Sequence, residues 1–293
     1  MPAPELIDVP VAGGVLRVAR WDAGPDAPIA VVAHGITANH RSWSAVADQL
    51  GGDVTLIAPD LRGRGGSNAL PPPFGIPQHA DDLVAVMDHL GIAAATVAGH
   101  SMGAWVAAVA AVRHPARVLS VVFADGGIRL REVPPEADVD AILHEILGPS
   151  MERLKTTFAS RDVYRDFWRR HPAFEGAWNE HVEAYIDYDL IGEGPVLRSG
   201  VSLDAVYADS RDTLFDDLSC TAIRRIMQPA VFVRAARGVM NDAPGLYSEA
   251  TIAALQRDVP HLHADLIDAN HFTLVLGEGA PAVADHIRKA CRA

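Results

Sequence analysis

The chain has 293 residues, of which 49% are hydrophobic, and its formal net charge at pH 7 is −12. This length and apolar content suffice for a large core, built either as one α/β domain or as a domain with an insertion. An acidic chain without a basic stripe binds nucleic acids and anionic membranes poorly. We therefore expect neither as a partner, and we expect substrates that are not highly anionic.

The two cysteines, Cys220 and Cys291, are too few and too isolated for a disulfide framework or a metal site. The first residues lack a basic stretch followed by an apolar core, so no signal peptide is predicted. No apolar run reaches the roughly 20 residues needed to cross a bilayer. These patterns favour reduced thiols, a cytoplasmic location and no membrane association. The oligomeric state stays open, a homodimer included.

The first part of the chain alternates short apolar runs, which predict strands, with helical patterns. Strands are predicted at 15–21, 29–33, 54–58, 95–98 and 119–124, and helices at 42–50, 81–90 and 102–114. This alternation is typical of a mostly parallel central sheet covered by helices on both faces. Such sheets bind ligands at the carboxyl ends of their strands, so residues that directly follow a strand are the first candidates for a site.

The loop after the strand at 29–33 reads His34-Gly35-Ile36-Thr37. Because it leaves the top of a strand, it could present the backbone N–H of Ile36 to a reacting group. With a second N–H it would form an oxyanion hole, in which each donor stabilises the transition state by a few kcal/mol. We interpret His34, which precedes the glycine, as a structural residue that holds the loop in shape.

The sequence Gly99-His100-Ser101-Met102-Gly103 joins the strand at 95–98 to the helix at 102–114. In a G-x-S-x-G turn between a strand and a helix, the serine occupies a strained bend that exposes its hydroxyl at the top of the sheet. Glycines are needed there because a Cβ would collide with neighbouring backbone. Ser101 is therefore the candidate nucleophile, and the N–H of Met102 is the second candidate oxyanion donor. The alternative is that Ser101 serves only as a helix N-cap.

Residues 129–225 show helical patterns but no convincing strand. Helices are predicted at 138–147, 151–159 and 175–186. We interpret residues 129–225 as a helical cap inserted into a core domain formed by residues 1–128 and 226–293. The cap holds more than half of the aromatic residues, which suggests a partly aromatic pocket wall. They include Phe158, Tyr164, Phe167, Trp168, Phe174, Trp178, Tyr185, Tyr188 and Tyr207.

Strand patterns return at 230–234 and 263–267, and the second is followed by Asn270-His271. His271 is the candidate general base, because it follows the last predicted strand and comes after the serine, with room for an acid between them. Asp125 follows the strand at 119–124, beside the Ser101 turn, where it could accept the second N–H of the imidazole. Its alternative role is that of a turn-forming aspartate before two glycines.

Four motifs in this order resemble those of the α/β-hydrolase family: His34-Gly35, the loop from Asp60 to Ser67, the turn at Ser101, and Asn270-His271. The resemblance implies the fold of that family and a serine nucleophile, but it does not specify a substrate. It also implies an acid after the strand at 230–234, usually an aspartate three residues beyond a glycine.

This chain departs from the family pattern, because residues 235–238 contain no carboxylate. Asp242 lies a few residues further and would reach the histidine only if its loop coils back. Some family members place the acid at the end of the preceding strand, which corresponds to Asp125 here. Asp125 and Asp242 are therefore both candidates for the acid, and Asp125 is favoured.

Together these residues predict a serine hydrolase that needs no cofactor or metal. Ser101, His271 and Asp125 would cleave a carboxylic ester or lactone of an apolar or aromatic small molecule through an acyl-enzyme, with Ile36 and Met102 as oxyanion donors. One alternative is a carbon–carbon bond hydrolase with the same triad, and another is a ligand receptor of the same fold. A halide or epoxide enzyme of this family would carry aspartate at the turn, which Ser101 argues against.

Overall fold

The centre of the molecule is an eight-stranded sheet, seen in a computed structural model that describes residues 3–134 and 136–292. The strands of the chain are β1 (Glu5–Val11), β2 (Gly14–Trp21), β3 (Ile29–Ala33), β4 (Thr55–Pro59), β5 (Ala95–His100), β6 (Val118–Ala124), β7 (Thr157–Phe158), β8 (Leu190–Glu193), β9 (Val196–Ser199), β10 (Ala230–Arg237) and β11 (Leu262–Asn270). The order in the central sheet is β1-β2-β4-β3-β5-β6-β10-β11. The β1–β2 and β2–β4 pairs are antiparallel and all other pairs are parallel, as predicted for a mostly parallel sheet.

Helices cover both faces of this sheet. They are α1 (Ser44–Leu50), α2 (Ile76–His89), α3 (Met102–Arg113), α4 (Val139–Leu147), α5 (Pro149–Glu152), α6 (Arg161–Arg169), α7 (Glu180–Asp189), α8 (Leu203–Phe215), α9 (Asp217–Thr221), α10 (Glu249–Asp258), α11 (Thr273–Leu276) and α12 (Ala280–Ala290). One buried cluster joins α2, α3 and α10 to the sheet, and a second joins α1 and α12 to its other face. Among the described residues, none of the helices combines the length and apolar character that a membrane span requires.

The strands predicted in the core are all present, with ends that differ by a few residues. β4 and β5 are buried along their whole length, which is why their apolar runs are continuous. β1 was not predicted. It lies at the edge of the sheet and buries only Val9 fully, so its sequence carries little of the apolar pattern that marks a strand. The helix predicted at 81–90 begins earlier, at Ile76, and carries Pro77 in its first turn.

The prediction that residues 129–225 contain no strand is wrong. This segment holds α4 to α9 together with a three-stranded antiparallel sheet in the order β7-β9-β8. The helix predicted at 151–159 is also wrong beyond Lys155, because the chain then forms β7. β8 and β9 are antiparallel neighbours, and the two residues Gly194 and Pro195 connect them. Strands of two to four residues are too short to show the alternation that predicts a strand.

Candidate active site

Ser101 occupies the sharp turn between β5 and α3, with a backbone φ of 54°. A positive φ is strained for a residue other than glycine and persists only where the surroundings enforce it. Here the enforcement is close backbone packing. A Cβ on Gly99 would overlap the carbonyl of Gly103, and a Cβ on Gly126 would overlap the carbonyl of Ser101 itself. The glycines around the turn therefore supply space, as the sequence predicted.

His271 and Asp125 are hydrogen-bonded to each other, with 2.7 Å between Nδ1 of the imidazole and Oδ2 of the carboxylate. His271 follows β11 and Asp125 follows β6, so the end of β10 lies between them. The second carboxylate oxygen of Asp125 accepts from the backbone N–H of Ala235 at 3.1 Å. Asp125 is 1% exposed, and these two bonds fix its carboxylate. Because Nδ1 donates to the carboxylate, a neutral His271 has Nε2 free to accept a proton.

Asp242 is placed differently. It is exposed in the loop after β10, where its backbone carbonyl accepts from the N–H of Gly238 at 2.8 Å. The carboxylate hydrogen-bonded to His271 is that of Asp125, so the structure pairs the histidine with the favoured candidate.

Ser101 and His271 line the same two cavities, which meet at the top of the sheet. In the described part of the chain, the Ser101 hydroxyl makes no hydrogen bond with the imidazole. Catalytic hydrogen bonds are often long or poorly aligned without a substrate and tighten when one binds. The structure thus brings the four predicted strand-end loops to one edge of the sheet and leaves the serine hydroxyl free to turn.

Ile36 and Met102 line the larger cavity together with Ser101. Met102 is the first residue of α3, so its N–H has no partner within the helix. His34, fully buried just before the loop, accepts the N–H of Leu61 through Nε2 at 3.0 Å. Burial lowers the pKa of His34 to about 3, so its ring is neutral at pH 7. These contacts fit the structural role that the sequence suggests for His34.

Two buried arginines, which the sequence analysis missed, hold the carbonyl groups of this loop. Arg64 donates to the carbonyl of Ile36 at 2.9 Å, and Arg153 donates to the carbonyl of Thr37 at 2.7 Å. Each pairs with a buried carboxylate of the 129–225 segment: Arg64 with Asp209 at 2.5 Å, and Arg153 with Asp189 at 2.6 Å. The two arginines therefore connect the 129–225 segment to the backbone of the loop that contains Ile36. The only signal for Arg64 in the sequence was its place in the Asp60–Ser67 loop.

The larger cavity has an aliphatic wall. That wall comes mainly from α4 and α8 and includes Ile142, Leu143, Ile146, Leu147 and Leu214. The aromatic wall predicted from the 129–225 segment is therefore wrong for this cavity. Instead, several of those aromatic residues pack on each other, and Arg153 stacks on the ring of Trp168 at 4.8 Å. Of the nine aromatic residues named above, only Tyr185 lines a cavity beside Ser101, which is the smaller of the two.

Known proteins share this architecture. Residues 28–162 match the model of the family described as the alpha/beta hydrolase fold. The crystal structure of E-2-(acetamidomethylene)succinate hydrolase superposes with a TM-score of 0.76 and 23% identity, over 99% of this chain and 100% of that one. The chain therefore has the α/β-hydrolase fold.

Curated relatives of this α/β-hydrolase-fold chain are similar over shorter stretches. The dihydrolipoyllysine-residue acetyltransferase component of an acetoin cleaving system from Cupriavidus necator is 39% identical over 113 residues, which are 39% of this chain and 30% of that protein. A 3-hydroxybutyrate-oligomer hydrolase from the same organism is 34% identical over 94 residues, 31% of this chain and 32% of that protein. The chain thus spans about a third of the length of these relatives. The names of the two relatives describe different activities.

Proposed function

We propose that the chain is a cofactor-independent serine hydrolase that cleaves a carboxylic ester or a lactone of an apolar small molecule. The observation that carries this proposal is the 2.7 Å hydrogen bond between His271 and the buried Asp125, at the edge of the sheet where Ser101 stands in its strained turn. An oriented imidazole that lines the same cavity as a serine can activate that serine as a nucleophile.

The first half of the proposed reaction forms an acyl-enzyme. Ser101 Oγ attacks the carbonyl carbon while its proton passes to Nε2 of His271. The negative charge that develops on the carbonyl oxygen binds the N–H groups of Ile36 and Met102. The bond to the leaving oxygen then breaks, and His271 gives its proton to that oxygen. Asp125 stays ionised throughout and stabilises the imidazolium.

The second half returns the free enzyme. His271 takes a proton from a water molecule as the water oxygen attacks the acyl carbon. The bond from that carbon to Ser101 Oγ then breaks, and His271 returns the proton to the serine. The products are a carboxylic acid and an alcohol, or a single hydroxy acid when the substrate is a lactone.

The larger cavity supports an apolar substrate. Its aliphatic wall would bury the hydrocarbon chain of a small molecule. The relative from Cupriavidus necator that is a hydrolase of 3-hydroxybutyrate oligomers is compatible with this proposal, but it matches only about a third of the present chain.

The test combines covalent labelling with turnover. A fluorophosphonate probe should label the wild type at Ser101, and Ser101→Ala should abolish labelling and lower kcat/KM on a panel of esters and lactones by at least about a thousand-fold. Ser44→Ala is the matched control, because Ser44 lines neither cavity and its hydroxyl donates to the carbonyl of Arg41. Full activity in Ser101→Ala, or no label on Ser101, would overturn the proposal.

A ligand receptor of the same fold is the second candidate, favoured by the missing hydrogen bond between Ser101 and His271. A receptor would show a rise in melting temperature with members of the same panel and no turnover. Measuring both properties on the same compounds separates the two functions.

A further inference from the structure

The smaller cavity beside Ser101 contains two buried polar atoms without a partner among the described residues. They are Oγ of Ser150 and Nδ1 of His100, in residues that are 0% and 5% exposed. Leaving a buried polar atom unpaired destabilises the folded protein, so two such atoms on residues that line one cavity call for an explanation. A polar ligand in the cavity would supply the missing partner to both.

The hydrogen-bonding role of His100 is fixed by its other nitrogen. Nε2 lies 2.8 Å from the backbone carbonyl of His271, and a carbonyl oxygen only accepts, so Nε2 carries the hydrogen. Burial lowers the pKa of His100 well below its ordinary value, which keeps the ring neutral. Nδ1 therefore presents a lone pair and is an acceptor only. Whatever meets this atom must bring an O–H or an N–H.

This lone pair lies close to the nucleophile. The position that a Cβ would take on Gly35 is 3.7 Å from Nδ1 of His100 and 3.7 Å from Oγ of Ser101. Because Gly35 has no side chain, no Cβ occupies this position within contact distance of both atoms. Ser150 lines the same cavity from α5, and its hydroxyl can donate or accept.

We propose that the smaller cavity binds one hydroxyl group, which donates to Nδ1 of His100 and accepts from the hydroxyl of Ser150. This inference rests on the proposed function and refines it: the hydroxyl belongs to a short leaving group of the ester. Residues that follow the proton donor His271, namely Phe272, Val275 and Leu276, form one wall of the cavity. The aliphatic larger cavity then holds the acyl chain. An ether oxygen or a methyl group could not donate to His100, so the site selects an alcohol.

A pair of isosteric substrates tests the inference. The 2-hydroxyethyl and propyl esters of hexanoic acid share the acyl chain and differ at the end of the leaving group, where O–H replaces CH₃. We divide the ratio of the two kcat/KM values by the ratio of the alkaline hydrolysis rates of the two esters. This corrected preference of the wild type should favour the hydroxyethyl ester about ten-fold. Ser150→Ala should reduce this corrected preference to within about two-fold of unity, and Ser44→Ala should retain it.

A water molecule offers the same hydroxyl chemistry, and a second measurement distinguishes it. If the site holds the water that attacks the acyl-enzyme, the wild type shows no preference between the two esters. Ser150→Ala then accumulates hexanoyl-Ser101 during turnover of p-nitrophenyl hexanoate, seen by mass spectrometry, whereas Ser44→Ala does not. That result overturns the leaving-group assignment and gives the site to the attacking water.

The inference is also overturned if the wild type shows no corrected preference, or if Ser150→Ala retains the preference as Ser44→Ala does. In that case esters are still hydrolysed and Ser101 is still labelled, so the proposed function survives. If no ester or lactone is hydrolysed and Ser101 is not labelled, the proposed function and this inference fail together.

Discussion

The hydrogen bond between Asp125 and His271 is the feature of single residues on which most of the proposed chemistry depends. Asp125→Asn keeps the side-chain shape and can still accept from the N–H of Ala235 through its amide oxygen. Its amide nitrogen, however, favours the wrong tautomer of His271 and cannot stabilise the imidazolium. We expect kcat to fall by about a thousand-fold or more while the melting temperature changes little. Steady-state kinetics with the best substrate and a thermal melt measure both quantities.

Asp242→Asn is the matched control for this variant. Asp242 is exposed and its backbone, rather than its carboxylate, accepts from Gly238. We expect kcat within about two-fold of the wild type, because a surface carboxylate has little effect on the site. A large loss in Asp242→Asn together with normal turnover in Asp125→Asn would move the acid to the later loop.

The residues of the site divide into those that the sequence could place and those that it could not. Ser101, Asp125 and His271 each follow a strand, so strand order alone was enough to bring them to one edge. Arg153 and Ser150 lie in the 129–225 segment, where the pattern predicts elements but not their orientation. A sequence also gives no sign that an arginine is buried, since most are exposed. Only the packing reveals that Arg153 reaches the carbonyl of Thr37.

At the scale of elements, buried charged pairs join the 129–225 segment to the loop at residues 34–37. Asp189 accepts from Arg153 and from the hydroxyls of Tyr164 and Ser199. Burial alone would lower the pKa of Arg153, but the carboxylate of Asp189 outweighs it and the pKa is raised. The pair is therefore charged, and removing one partner would leave the other charge buried and alone.

Asp189→Asn tests this connection. We expect the free energy of unfolding to fall by about 3 kcal/mol, since the guanidinium of Arg153 loses its counter-charge in a dry site. We also expect a lower kcat with little change in KM, because Arg153 positions the carbonyl of Thr37 next to Ile36. Urea denaturation and steady-state kinetics measure the two effects.

Glu145→Gln is the corresponding control at the surface. Glu145 pairs with Arg131 at 2.6 Å, and the two side chains are 62% and 48% exposed. Exposed pairs contribute less than about 1 kcal/mol, so stability should hardly change. Equal losses in the two variants would show that burial of the Arg153 pair has no special effect.

Sequence patterns predicted best the strands that have apolar surroundings on both faces. β4 and β5 are buried on both faces, so their sequences are continuous apolar runs, which predicted them as strands. The edge strand β1 and the strands β7 to β9 form their backbone hydrogen bonds without a long apolar run. The apolar pattern of the sequence therefore did not identify them as strands. The aromatic residues of the 129–225 segment were assigned to a pocket wall because composition cannot tell a cavity from a core. In the structure, Phe167, Phe174 and Tyr185 pack around Trp168.

At the scale of the whole molecule, three buried histidines couple folding to pH. Burial lowers the pKa of His34 to about 3 and that of His171 to about 4, and it lowers the pKa of His100 well below the ordinary value. In the unfolded chain each should return to about 6.5. Below that pH the unfolded chain binds protons that the folded chain does not. Folding is therefore most favourable above pH 6.5 and is weakened as the pH falls toward the folded-state values.

The free energy of unfolding should consequently drop by up to about 4 kcal/mol per pH unit near pH 5, the slope for three protons taken up on unfolding. Urea denaturation at half-unit steps from pH 7.5 to pH 5 measures it. His171→Gln removes one of these groups and should reduce the slope by about 1.4 kcal/mol per pH unit, whatever its effect on stability at pH 7.5. His261→Gln, at an exposed position, should leave the slope unchanged. A wild type with constant stability between pH 7 and pH 5 would contradict the neutral state assigned to the buried rings, because those rings must then bind protons equally in both states.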